Sequence, residues 1–189
     1  MWNSQVIIML LEGIRDTLYM TLASTLFGYI IGLPMGIVLT VTDKDGIRPN
    51  AAVYKVLDVI SNLLRSIPFI ILLIVLIPFT RFVVGRSYGS TATIVPLTIA
   101  AAPYIARMVE SSLKEVDAGV IEAARSMGAS DFQIVTRVML VEARTSLIVG
   151  ATISLGTILG YSAMAGTVGG GGLGDIAIRY GYTRWQTDI

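Results

Sequence analysis

The stretch Thr17–Val41, TLYMTLASTLFGYIIGLPMGIVLTV, contains no charged residue. About 20 consecutive apolar residues carry a helix across a hydrocarbon layer, so this stretch is long enough to cross. A buried helix of a soluble domain is the competing reading, and the length without a charge weighs against it. Ser146–Ala165, SLIVGATISLGTILGYSAMA, repeats the pattern. Leu57–Phe79, with Arg65 near its start, and Thr91–Val109, with Pro96 and Pro103, are also long and apolar. Four spans are expected, and the fold class is an all-α polytopic membrane protein.

Composition agrees. Of 189 residues, 54% are hydrophobic and 14% charged, against about 25% charged in ordinary globular domains. A net charge of +1 gives no electrostatic footprint for nucleic acid. The chain has no cysteine and no histidine, which removes disulfides, Cys/His zinc sites and Ser-His-Asp or Cys-His hydrolysis. The first residues lack a basic start and a small-residue cleavage site, so no cleavable signal is expected.

Orientation follows from the basic residues, which are retained on the cytoplasmic side. Lys44, Arg48, Lys55, Arg65, Arg107, Lys114, Arg125, Arg137 and Arg144 fall on one side; Arg15, Arg81, Arg86, Arg179 and Arg184 fall on the other. The N-terminus is therefore expected outside, the 110–145 segment inside, and the Gly-rich 166–189 loop outside. Gly28, Gly32 and Gly36 share a helix face, as do Gly156, Gly160 and Met164. Such faces let membrane helices approach closely. Pro34, Pro68, Pro96 and Pro103 each remove a helix hydrogen bond. Helix packing and a path lined by bent helices both accommodate them.

Residues 110–145 are too polar to span and too long for a turn. Val120, Ile121, Ala124 and Met127 mark one face of a short helix, with Glu122, Arg125 and Ser126 opposite. Gly128 ends it. Ser130 and Gln133 form a capping box for a second helix striped by Ile134, Val135, Val138 and Val141. A helix, glycine turn and second helix at the membrane surface suit a docking element for a cytoplasmic partner. Gly169-x-Gly171-x-x-Gly174 matches a dinucleotide fingerprint only as a string, since no strand precedes it. Asp43 and Asp45 read as a solvated turn, and Arg65 as an interfacial side chain. Arg107 and Glu110 can pair in a structural role.

Glu122-Ala123-Ala124, then Gly128, then Val138-Met139-Leu140 resembles the EAA motif of ABC-importer permeases. Val138 stands where that family usually has Ile, and Val141 where it has Pro. The runs Arg65–Leu73, Ile77–Arg81, Ala101–Glu110 and Gly160–Met164 extend the likeness, over almost the whole chain, to the methionine-import permeases. The resemblance implies a type I importer permease fold as one domain over 1–189, with five spans in the family and four expected here. It implies a permease homodimer in the bacterial inner membrane, two cytoplasmic ATPase subunits and an external methionine-binding lipoprotein. ATP and Mg would sit in the ATPase, with no cofactor, metal or catalytic residue in this chain. Glu122, Ala123, Ala124, Arg125 and Gly128 would couple to the ATPase, Met164 would gate the path, and Gly28, Gly32, Gly36, Gly156 and Gly160 would pack helices. The motif alone leaves open an importer for another solute. A channel or secondary transporter calls for ionisable groups within the spans, which the first and fourth lack. A membrane scaffold would function without ATPase partners.

Overall fold

A computed structural model describes residues 4–186; the ends of the expected 1–189 domain and of the 166–189 loop lie outside the described residues. No strand occurs among the described residues. In order, the helices are α1 (Ser4–Thr42), α2 (Ala51–Ser66), α3 (Phe69–Val75), α4 (Ile77–Val84), α5 (Ser90–Lys114), α6 (Ala118–Ser126), α7 (Asp131–Gln133), α8 (Leu140–Glu142), α9 (Arg144–Ala165) and α10 (Gly172–Ile176). A wide π turn, Ile134–Met139, joins α7 to α8, and another, Ala177–Thr183, follows α10. The Gly-rich segment expected as a loop is therefore largely helical.

Among the described residues three helices, α1, α5 and α9, are long and apolar enough to cross a membrane. At about 1.5 Å per residue α1 would extend about 58 Å, more than the roughly 30 Å of a hydrocarbon layer. The expected Leu57–Phe79 span is not one straight helix: α2 and α3 meet at a 103° bend. Pro68 explains the break. It lacks an N–H, and it pushes the preceding Ile67 away from helical dihedrals. Pro34, Pro96 and Pro103, by contrast, lie inside unbroken helices.

The chain gathers into two compact units, and α1, α5 and α9 each contribute to both. One unit comprises residues up to Phe27, Ile67–Ala101 and from Leu155 onward. Met20, Leu97, Ile158 and Ala165 are fully buried there. Phe69 stacks on Tyr161 with ring centroids 4.7 Å apart. Gly89 N–H donates to Gly169 O at 2.9 Å, and Thr93 Oγ1 to Gly170 O at 3.2 Å, tying the Gly-rich segment to the start of α5.

The other unit comprises Gly28–Ser66 and Ala102–Ser154. Leu39, Ile105, Ala106, Val109 and Ile134 form its centre. Gly28, Gly32 and Gly36 are all buried. A Cβ at Gly32 would lie 2.6 Å from Ala102 O, and one at Gly36 2.5 Å from Ala106 O. α1 and α5 therefore meet backbone to backbone along this line. In α5, 72% of the most apolar window is buried, against 28% in α1 and 22% in α9. α5 is thus the enclosed helix, while Ile7, Leu11, Leu18, Leu22, Leu26 and Ile30 of α1 face outward, as suits side chains solvated by lipid.

Candidate functional site

The polar connection between α5 and α9 is ordered by local hydrogen bonds. The Asp117 carboxylate caps α6 by accepting from Gly119 N–H at 2.7 Å. At the far end Gly128 has φ +83°. Its N–H donates to Arg125 O at 3.0 Å, and Ala129 N–H donates to Ala124 O at 3.1 Å. This pair of bonds is a Schellman ending, and it requires a left-handed residue at the glycine position. Ser130 and Gln133 then make the expected capping box, at 2.9 and 3.3 Å.

Glu122, Ala123, Arg125 and Gly128 are exposed, whereas Ala124 is buried against its own chain. Of the two alanines only Ala123 faces outward. The apolar face read from the sequence is only partly used. Ala124 is buried, but Met127 is 82% exposed and Val120 also lies open. A nine-residue helix touches its support along one narrow line, and Met127 stands past its end. Phe132 is exposed as well. The loop thus leaves Met127, Phe132 and Glu122 all exposed.

The second stripe is re-phased. Ile134 is buried, but Met139 and Ala143 take the next inward places, and Val141 is exposed. A π turn has more residues per turn than an α-helix, so the inward position after Ile134 falls five residues on rather than four.

Three contacts tie the loop to residues 43–48. Arg125 Nη2 donates to Ile47 O at 2.9 Å. Arg48 and Asp131 form an exposed pair at 3.8 Å, a kind worth little by itself. Lys114 Nζ reaches Asp43 at 2.7 Å. Between these segments lies a cavity of about 440 Å³ whose walls include Lys114, Ile121, Glu122, Arg125 and Met139. Glu122 makes no ion pair among the described residues. Arg125 is held by Ile47 instead.

The hydrogen bond from Lys114 holds the Asp43 carboxyl below its ordinary value, reinforced by the Lys44 N–H. A depressed carboxylate adds stability above its unfolded pKa and loses it as pH falls through the folded one. Thermal stability in detergent should therefore lose this increment only below about pH 4, and Asp43→Asn should abolish that part of the acid slope. An unchanged slope in the variant would deny the contact any weight.

Sequence reading missed the partners of α5. Tyr54, Asp58 and Asn62 of α2 face Arg107 and Glu110, and their spacing of four was the available signal. Arg107 and Glu110 do pair, at 2.6 Å. In the other unit, Gly156 and Gly160 have nothing within 4 Å of an added Cβ, and Met164 is 46% exposed. Leu155 and Leu159 beside them are also open. At Gly156 and Gly160 this face of α9 is open among the described residues.

Residues 16–185 match the family described as binding-protein-dependent transport system inner membrane component. The chain is similar to a probable D-methionine transport system permease protein, MetI, of Vibrio cholerae, 47% identical over 96% of this chain and 80% of that protein. It is 54% identical to the MetI of Escherichia coli K12, over 84% of this chain and 73% of that one. Among solved structures, inward-facing conformations of the MetNI methionine ABC transporter superpose with a TM-score of 0.95 at 52% identity, covering 97% of this chain and 85% of the other. An amino acid ABC transporter at 21% identity shares the fold, with a TM-score of 0.75. With its apolar helices and ordered polar loop, this chain belongs to the family of inner-membrane components of binding-protein-dependent transport systems.

Proposed function

We propose that this chain is the permease subunit of an ATP-driven importer that moves methionine across the bacterial inner membrane by alternating access. The observation that carries the reading is the loop around Glu122. It is built by caps at both ends, joined to residues 43–48, and exposes Met127, Phe132 and Glu122, an acid with no ion pair among the described residues. Such a surface suits a partner's groove. The relatives named for D-methionine transport supply the substrate.

In this reading two permeases pair, and the open face of α9 around Gly156 and Gly160 meets its copy. Two cytoplasmic ATPase subunits hold ATP and Mg and grip Glu122, Ala123, Arg125 and Gly128, with Ala124 seating the helix from behind. An external lipoprotein delivers methionine. This chain does no bond chemistry. The basic-residue asymmetry supports an N-terminus outside and a loop inside. Cysteines introduced at positions 122 and 170 test this with an impermeant label on intact cells. Labelling at 122 but not 170 would reverse the orientation.

The central experiment reconstitutes the permease with the ATPase and lipoprotein and measures uptake. ATP-dependent entry of methionine is expected. Uptake of polar amino acids with methionine excluded would assign the chain to another importer group. Met164, unbranched and able to repack, is placed at the narrow point of the path. Met164→Ala should raise basal leak or uncoupled hydrolysis. Wild-type leak and coupling in a folded variant would leave Met164 a packing residue.

A further inference from the structure

Two polar stripes face each other in the unit that carries the loop. On α2, Tyr54, Asp58 and Asn62 recur every fourth residue; on α5, Arg107, Glu110 and Lys114 recur at three and four. Arg107 pairs with Asp58, donates to Asn62 Oδ1 at 3.1 Å and donates to Glu110 Oε2 at 2.6 Å. Glu110, which is buried, also accepts from Tyr54 OH at 3.2 Å and from Lys114 Nζ at 2.8 Å. Lys114 completes the series by reaching Asp43 at 2.7 Å. The result is an unbroken line of alternating charge: Asp58, Arg107, Glu110, Lys114, Asp43.

Stability does not account for this line. Desolvating ions offsets much of their attraction, and apolar residues of equal volume often serve a fold as well. What a hydrogen-bonded network around a buried carboxylate does supply is a single arrangement with directional bonds, here with Arg107 Nε alone among the guanidinium nitrogens left without a partner. Apolar helix faces can slide past one another; these cannot without breaking several charge-assisted hydrogen bonds. The line also ends at a telling place. Lys114 lines the cavity beside Glu122 and Arg125, and Asp43 begins the segment that Arg125 holds through Ile47. α5 then runs unbroken from Lys114 back to Ser90.

We infer that Glu110 is a positioning residue for transport: it joins α2, α5 and the 43–47 segment into one body, so that displacement of the Glu122 loop moves the spans. The inference rests on the reading of the chain as an ATP-coupled permease. Glu110 touches neither substrate nor nucleotide in this role. It acts by passing the loop's motion through Lys114 to Arg107 and α2.

The test uses the full complex with its ATPase and lipoprotein, and reads methionine moved per ATP hydrolysed. Glu110→Gln keeps the volume and removes the charge. The ATPase should still copurify and hydrolyse ATP, while transport per ATP falls about tenfold, within the range by which such networks alter coupling. Lys114→Met should act in the same direction, and the double variant should be no worse than the worse single one, since both cut one line. Lys114→Arg should restore most of the ratio. If Glu110→Gln fails to accumulate, Lys114→Met decides, because a side chain that is 41% exposed is replaced at less cost to the fold than a buried one. An unchanged ratio, or transport and hydrolysis falling together with loss of assembly, overturns the inference while wild type still moves methionine. A wild-type complex that moves no methionine overturns the underlying reading, and this inference with it.

Discussion

Gly128→Val is expected to remove ATP-driven uptake almost completely while the permease remains in the membrane. Gly128 holds φ +83° with nothing within 4 Å of an added Cβ, so the obstacle is conformation, not space. A residue with a side chain in that region costs about 1–2 kcal/mol, and a β-branched one is disfavoured further. That penalty is too small to unfold a membrane domain but large enough to undo the Schellman ending. α7 would then leave α6 at another angle, and the exposed Phe132 would be carried to a new position relative to Met127. Gly128→Asn, which tolerates the left-handed region, should retain most activity. Glu122→Lys should reproduce the loss by reversing the charge on the exposed face. ATPase copurification and uptake at matched permease levels measure both. Normal assembly and normal uptake in Gly128→Val and Glu122→Lys would show that ATP energy enters the membrane elsewhere.

Gly36→Val should reduce the amount of folded permease itself. Its Cβ would lie 2.5 Å from Ala106 O and 2.7 Å from Val109 Cβ. The obstacle is backbone on an enclosed helix, so neither neighbour can swing aside. Overpacking costs about 1–3 kcal/mol where a core can adjust, and here the two helix axes would have to separate. Membrane level and melting temperature in detergent should both fall. Gly156→Val is the matching control. It meets nothing within 4 Å, so the single chain should fold normally, and only pairing of permeases should suffer. Equal melting temperatures for Gly36→Val and wild type would mean that α1 and α5 do not need their close approach.

Much of this was legible because membrane spans are written in composition. The lack of charge over Thr17–Val41 and Ser146–Ala165 marked α1 and α9, and the capping box at Ser130 and Gln133 was read residue for residue. The break at Pro68 was underread. A proline inside an apolar run can be carried within a helix, as at Pro34, or can end it, and the difference lies in tertiary surroundings rather than in the run itself. The outward turn of Met127 was hidden for a related reason: periodicity reports which residues share a face, not whether anything covers that face. The α2–α5 line escaped because its members lie about fifty residues apart. Arg107 and Glu110 were visible as a local pair, but Asp58 and Asn62 carry meaning only once α2 lies alongside.

The wide turn at Ile134–Met139 bears on how the chain can change in length. Ile134 and Met139 both point inward although they are five positions apart. On an ordinary helix that separation would place them about 140° apart; the extra residue in the turn absorbs the difference. Removing one residue between them would leave an ordinary helix with both anchors still facing in, four apart. Adding one would leave no regular turn that keeps them together. Gene variants that differ by a single codon here should therefore survive when they are shorter and fail when they are longer.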